Sequence, residues 1–245
     1  MTAVPAAARS PWFIRPKLAE RSSRLFCFPY SGTGASAFHF WPAAIEDIEV
    51  CPVQFPGRES RLAEPHYGTY ENLAASLIEP MLPRLDRPFA FFGHCAGALP
   101  AFETAVLLAE LGLPEPDCLF VSGQAAPHEF SRDRMLTMTD AELRAEIESV
   151  VRGRGIEPRP DMIDVGLSVL LRDLEAAEKY RRPEPVTLNC PIVVLHWRSD
   201  PEISLEELEG WRQYSDSVEI RVVEGGHHDF MDAPEELTKL LQSWV

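Results

Sequence analysis

Phe89-Ala90-Phe91-Phe92-Gly93-His94-Cys95-Ala96-Gly97-Ala98 is the stretch on which the fold turns. An apolar run long enough for one buried strand ends in Gly-x-Cys-x-Gly, and a small-residue, helix-compatible segment from Ala98 to Glu110 follows at once. That strand–turn–helix order is the one required of a nucleophile elbow, in which a sharp turn lifts one reactive side chain clear of a sheet. The flanking glycines leave room for the neighbouring strand and helix, while the central residue is forced into a strained backbone geometry. Cys95 would then stand at a helix N-terminus, where the dipole and free backbone N–H groups favour negative charge. Taken alone, the motif fits a buried structural cysteine on a βα turn as well, so the rest of the chain has to separate the two.

On either side of this stretch, strands and helices alternate. Arg24–Phe28 reads as a short buried strand, broken by Pro29-Tyr30-Ser31-Gly32-Thr33-Gly34, with a helix expected from about Ala35. A strand is expected over Val50–Phe55, closed by Pro56-Gly57, and a helix from Tyr70 to Leu82 with Leu73, Leu77 and Ile78 on its apolar face. Cys118–Gly123 follows as a strand, then Ile192–His196, a helix over Leu205–Tyr214, the strand Val218–Val223 and a closing helix over Pro234–Trp244. Trp12 and Phe13 are expected to tack the Pro/Ala/Arg-rich first 22 residues onto the body. Such alternation predicts an α/β protein with a mainly parallel sheet covered on both faces. Between about 124 and 185 the strands stop, and two helices (140–151 and 161–180) carry apolar stripes at Leu143 and Ile147, and at Leu167, Leu170, Leu171 and Leu174. This insertion reads as a lid, giving one domain over residues 1–245.

Bulk properties narrow the function. The chain has 245 residues, enough for a large core, and its 45% hydrophobic and 25% charged content is ordinary for a soluble globular protein. A formal net charge of −15 argues against nucleic acid and anionic membrane as partners. No apolar run reaches membrane-spanning length and the N-terminus lacks a signal-peptide core, so a cytoplasmic location is expected. Of five cysteines, Cys27, Cys51, Cys118 and Cys190 lie in or beside strand-like runs and read as small buried hydrophobes. No CxxC pair or His/Cys cluster has metal-ligand spacing, so no metal is expected.

A nucleophilic Cys95 needs a base, an orienter for that base and oxyanion donors. In hydrolases on such a sheet the chain order is nucleophile, acid, histidine, each after a strand. Asp200 follows the strand ending at His196, in Arg198-Ser199-Asp200-Pro201, and His227 follows the strand ending at Val223, in Glu224-Gly225-Gly226-His227. Asp200-Pro201 alone is equally a turn, and Gly-Gly-His equally a loop; their order and strand-end placement together favour a catalytic set. His228 and Asp229 are competing candidates beside His227, and His94 reads as a packing residue. The backbone N–H of Ala96 and one from the Ser31-Gly32 turn would bind the oxyanion.

These residues resemble the type II thioesterases, α/β-hydrolases that act beside polyketide synthases and nonribosomal peptide synthetases. The likeness is carried by Arg24–Gly34, by Val53-Gln54-Phe55-Pro56-Gly57-Arg58-Glu59, by Arg87–Ala98, by Asp200-Pro201 and by Gly225-Gly226-His227. It implies an α/β-hydrolase fold with a helical lid, and Cys95, Asp200 and His227 in the triad positions. Ser31 and Ala96 would occupy the oxyanion-hole positions. It also implies a substrate held on the phosphopantetheine arm of an acyl or peptidyl carrier protein; no cofactor of the chain's own is expected, and the chain is expected to be a monomer. Three features depart from the family pattern: Cys95-Ala96 stands where Ser-Met is usual, Ser31 where Ala is usual, and His228-Asp229 where an apolar pair is usual.

A cysteine at the elbow has consequences. A thiol at a helix N-terminus beside histidine is partly thiolate, and its acyl adduct is a thioester, still activated for transfer to water, a thiol or an amine. Hydrolysis is the first expectation and acyl or aminoacyl transfer the second. A dienelactone-type hydrolase of small molecules is a third reading, and a non-catalytic binding protein a fourth. Carrier proteins are acidic, as is this chain, so Arg152 and Arg154 in the lid are the expected carrier contacts, with Arg159, Lys179, Arg181 and Arg182 as further cations.

Overall fold

The structure is a computed structural model and describes residues 10–129 and 134–244. Its centre is a seven-stranded sheet made of β1 (Ser23–Phe28), β2 (Ala44–Ile45), β3 (Ile48–Pro52), β4 (Phe89–His94), β5 (Cys118–Ser122), β6 (Ile192–Trp197) and β7 (Val218–Val223), in the order β2-β3-β1-β4-β5-β6-β7. Every pairing is parallel except β2 with β3. This is the α/β-hydrolase arrangement. The strands read as near-continuous apolar runs because both faces are covered, and β1, β3, β4 and β5 are buried along their whole length.

Alternate side chains along each strand feed two cores. Phe26, Phe28, Phe91 and Val194 face α1 (Tyr70–Met81) and α2 (Ala98–Glu110), meeting Leu73, Leu77 and Phe102. Leu25, Cys27, Phe92 and Leu195 face the opposite way, against Trp41, Phe230 and the helix α5 (Glu235–Gln242) through Leu237 and Leu241. Trp12 and Phe13 pack into the first core, with Phe13 bridged to Val53.

Between β5 and β6 lie α3 (Asp140–Gly153) and α4 (Pro160–Lys179). Thr139 and Glu142 form a reciprocal capping box that starts α3, and Pro160 opens α4 at a position where its missing N–H costs no hydrogen bond. Leu143, Leu167, Leu170 and Leu174 make a small core of their own between the two helices.

Several local expectations need adjustment. The strand expected over 50–55 begins earlier and stops at Pro52, which has no N–H to extend the ladder. The helix expected from Ala35 is a four-residue 3-10 turn, Ala35–Phe38, and the one over 205–214 is a 3-10 segment, Glu206–Gln213, which contains the weak helix former Gly210. The two-residue antiparallel edge strand β2 carries too little pattern to be read in advance. Among the described residues no helix is long and apolar enough to cross a membrane.

Candidate active site

The elbow is built by exclusion of volume. β4 ends at His94, Cys95 takes φ +49°, and a 3-10 turn (Cys95–Gly97) leads straight into α2. A left-handed conformation at a residue bearing a Cβ costs about 1–3 kcal/mol and persists only where the surroundings enforce it. Here they do. A Cβ on Gly97 would meet the Phe28 carbonyl oxygen at 2.6 Å, and one on Gly93 the amide nitrogen of Ala98 at 2.6 Å. With both neighbours that close to β1 and α2, the side chain of Cys95 is pushed outward and stays half-buried.

Parallel pairing aligns the carboxyl ends of β4, β5, β6 and β7, with His94 beside Ser122 and Trp197 beside Val223. The loops after β6 and β7 therefore meet over the elbow. Nδ1 of His227 lies 2.7 Å from Oδ2 of Asp200, whose other oxygen accepts the Glu202 N–H at 2.7 Å. The Asp200 side chain is fully buried. Burial alone would lower the His227 pKa, but hydrogen bonds to Asp200 and Cys95, and the negative charge of both partners, outweigh it and raise the imidazole to about 10. The arrangement thus favours an imidazolium flanked by a carboxylate and the sulfur.

The neighbouring imidazoles behave oppositely. His94 is fully buried, stacks on Phe230 with ring centroids 3.9 Å apart, and shares Ser122 Oγ with the Trp197 indole N–H, each at 2.9 Å. Burial and the nearby His227 charge hold His94 well below the ordinary histidine range and push His228 down to about 4. One ring nitrogen from each of His94, His227 and His228 lies within 4.8 Å of the others, the one His/Cys/Asp/Glu grouping of metal-binding spacing among the described residues. Nδ1 of His227 is already engaged by Asp200.

The turn after β1 lines the same cavity as Cys95. In the turn after β1, Gly32 N–H is taken by Asp173, Thr33 N–H by Tyr30 O, Gly34 and Ser36 N–H by Glu59, and Ala35 N–H by Gln54. Among the described residues, neither the Ser31 N–H nor that of Tyr30 has a hydrogen-bond partner. Ala96 sits in the first turn of its helix, where no preceding helical carbonyl exists for its N–H.

Two recesses open onto Cys95. The first is an apolar cavity of about 140 Å³ between Cys95, His227 and the α3–α4 pair, lined by Ile147, Val150, Val151, Leu170, Met135 and Tyr30 among others. The second, of about 60 Å³, is more polar and runs past Gln124, Glu129, Glu202 and Glu207. An aliphatic group suits the first and a polar chain the second.

The lid cations are paired within the chain. Arg154 grips Asp232 through two nitrogens at 2.9 and 2.7 Å and lies over the Phe40 ring. Arg152 pairs with Glu148 within α3 at 2.9 Å but stays largely exposed, and Arg159 pairs with Asp161. Arg182 is tied to Glu103 on α2. Sequence could not show the Arg154–Asp232 and Arg182–Glu103 pairings, which span 78 and 79 residues. It also missed Asp173 as a bonding centre. The signals were present, an acid between Leu170 and Leu174 on a buried stripe and an arginine in the Gln54-Phe55-Pro56-Gly57-Arg58 motif, but nothing local joined them.

The family model described as "Thioesterase domain" matches residues 23–245. The chain is 32% identical to the linear gramicidin dehydrogenase LgrE of Brevibacillus parabrevis, over 96% of this chain and 92% of that one. Among solved structures, RedJ, a thioesterase from the prodiginine biosynthetic pathway in Streptomyces coelicolor, superposes with a TM-score of 0.79 at 36% identity, covering 98% of this chain and 97% of that one. YbtT, the type II thioesterase from the yersiniabactin NRPS/PKS biosynthetic pathway, gives a TM-score of 0.79 at 27% identity, covering 95% and 96%.

Proposed function

The chain belongs to the thioesterase family, and on that footing we propose that it hydrolyses acyl or aminoacyl thioesters carried on phosphopantetheine arms, with Cys95 as nucleophile, His227 as base and acid, and Asp200 as the orienter of His227. The observation that carries this reading is Asp200 hydrogen-bonded to His227, with His227 lining the same apolar cavity as a cysteine held at φ +49°.

The steps follow from where the protons sit. The Cys95 thiolate, paired with imidazolium, adds to the thioester carbonyl carbon. The carbonyl oxygen gains the negative charge and is met by the Ser31 and Ala96 N–H groups, which act most strongly where water is excluded. Collapse of this intermediate breaks the bond to the pantetheine sulfur, which takes the His227 proton and leaves. Neutral His227 then removes a proton from water, whose oxygen adds to the acyl-Cys95 carbonyl. A second collapse frees the carboxylic acid and regenerates thiolate and imidazolium. Asp200 holds Nδ1–H throughout, so Nε2 is the nitrogen that exchanges the proton. In the same reading α3 and α4 are the lid, the apolar cavity takes the acyl group and the polar recess admits the pantetheine arm.

Transfer is the second reading, favoured by Cys95 itself. An acyl-cysteine is a thioester close in energy to the starting one, so another thiol can discharge it as readily as water. The dehydrogenase reaction in the name of LgrE is not carried over. After β1, where a dinucleotide-binding sheet would offer its N–H groups to a pyrophosphate, Glu59 already takes those of Gly34 and Ser36.

Intact-protein mass spectrometry after mixing with a panel of acyl-carriers tests the proposal. An acyl mass on Cys95, absent in Cys95→Ala and lost to water on further incubation, is the expected outcome; a second holo-carrier discharging it faster than water favours transfer. Undiminished hydrolysis by Cys95→Ala would overturn both.

A further inference from the structure

Asp173 belongs to no part of the triad, yet its carboxylate accepts five hydrogen bonds. Arg58 donates two, at 2.6 and 2.7 Å, His66 Nε2 one at 2.8 Å, the Tyr67 hydroxyl one at 2.7 Å and the Gly32 backbone N–H one at 2.7 Å. Asp173 and Arg58 are each about 2% exposed or less. Arg58 also donates to the Thr33 carbonyl at 3.0 Å, so the pair grips the turn after β1 from both sides of Gly32. Leu170, one helical turn before Asp173 on α4, presses on Gly32 from above, 3.3 Å from where a Cβ would stand.

Gly32 sits at φ +79°, a conformation from which neighbouring peptide groups can swing at little cost. Two adjacent N–H groups, of Ser31 and Gly32, could then compete to face Cys95. The carboxylate removes one by binding it from behind. A lone buried anion so near a developing oxyanion would oppose catalysis, and the bidentate guanidinium of Arg58 offsets that charge.

We propose that Asp173 is a positioning residue for the oxyanion hole, holding the Gly32 N–H so that the Ser31 N–H points at the reacting carbonyl and fastening that turn to lid helix α4. This rests on Cys95 being the nucleophile and Ser31 the donor. Burial would raise the Asp173 pKa, but Arg58 and the bonds from His66 and Gly32 reverse this and hold it ionised.

The test uses the full chain, a short acyl-N-acetylcysteamine thioester and the trifluoromethyl ketone of the same acyl group, which forms a tetrahedral adduct with a cysteine thiolate. In Asp173→Asn, kcat and the affinity for the ketone should both fall about 10²-fold while KM moves by less than about threefold. Arg58→Lys, which keeps the charge but loses the fork, should fall between. A lower melting temperature with kcat per folded molecule and ketone affinity preserved would reduce Asp173 to a structural anchor and overturn the role. Glycolic acid in place of Gly32, which deletes that N–H alone, should lower kcat about tenfold or more even if Asp173→Asn does not fold; unchanged kcat there also overturns it. Equal ketone binding by native protein and Cys95→Ala would overturn the nucleophile assignment and this role together. Ketone binding that needs Cys95 but ignores Asp173→Asn overturns the role alone.

Discussion

Asp200 and His227 are 27 residues apart in the chain and 2.7 Å apart in space, joined Oδ2 to Nδ1. The contact exists because β6 and β7 are parallel neighbours, so the loops leaving their carboxyl ends are side by side. It sets which nitrogen of His227 faces the sulfur.

Replacing Asp200 by Asn keeps the shape but allows the amide to donate, favouring the wrong imidazole tautomer. Turnover on a short acyl-thioester should fall by about 10²–10⁴ with KM nearly unchanged. Steady-state kinetics read both parameters, and a change in KM alone would place Asp200 in substrate binding instead.

The raised His227 pKa makes folding stability depend on pH in a defined direction. Its folded value, about 10, lies above its ordinary 6.5, so the stabilisation is complete below pH 6.5 and is lost as pH rises towards 10. The groups facing it are Asp200, Cys95, His94 and His228, and both other histidines stay neutral across that window because their pKa values are lowered. Between pH 7 and 10 the native protein should lose about 1 kcal/mol or more relative to Asp200→Asn, or about 2–4 °C in Tm. Parallel Tm curves for the two proteins would contradict this.

Gly97 has no room for a methyl group. Gly97→Ala would drive a Cβ into the Phe28 and Pro29 carbonyls, which belong to the sheet and its first turn and cannot give way. The expected cost is about 3 kcal/mol, a Tm drop of about 6–12 °C by calorimetry. Retained stability would mean the elbow can relax.

Arg152 and Arg154 should separate docking from closure. Arg152→Glu, at an exposed position, should raise KM for an acyl-carrier by up to about fivefold and leave a short acyl-thioester unaffected. Arg154→Glu breaks the grip on Asp232 that holds the α3–α4 loop, so it should change kinetics on both substrates. Identical effects of the two variants would remove the distinction.

What could be read from sequence is local or ordered along the chain. The elbow announces itself in ten consecutive residues, and acid and histidine are placed by the rule that each follows a strand. The helices 140–151 and 161–180 were legible from their stripes and appear as Asp140–Gly153 and Pro160–Lys179. Pairings across the fold were not. Nothing near Arg154 announces Asp232, nothing near Arg58 announces Asp173, and nothing near Glu103 announces Arg182 and Tyr180. These contacts depend on how the inserted helices lie over the sheet, which periodicity does not encode.

The four remaining thiols carry a practical consequence. Cys27, Cys51, Cys118 and Cys190 are buried, and burial pushes each of them up, Cys51 and Cys190 to about 12, so none is an accessible thiolate near neutral pH. A thiol-alkylating reagent meeting the folded chain therefore finds one thiol that is not buried, at Cys95. The native sequence is already a single-site labelling target, and the stoichiometry of iodoacetamide uptake counts working centres directly.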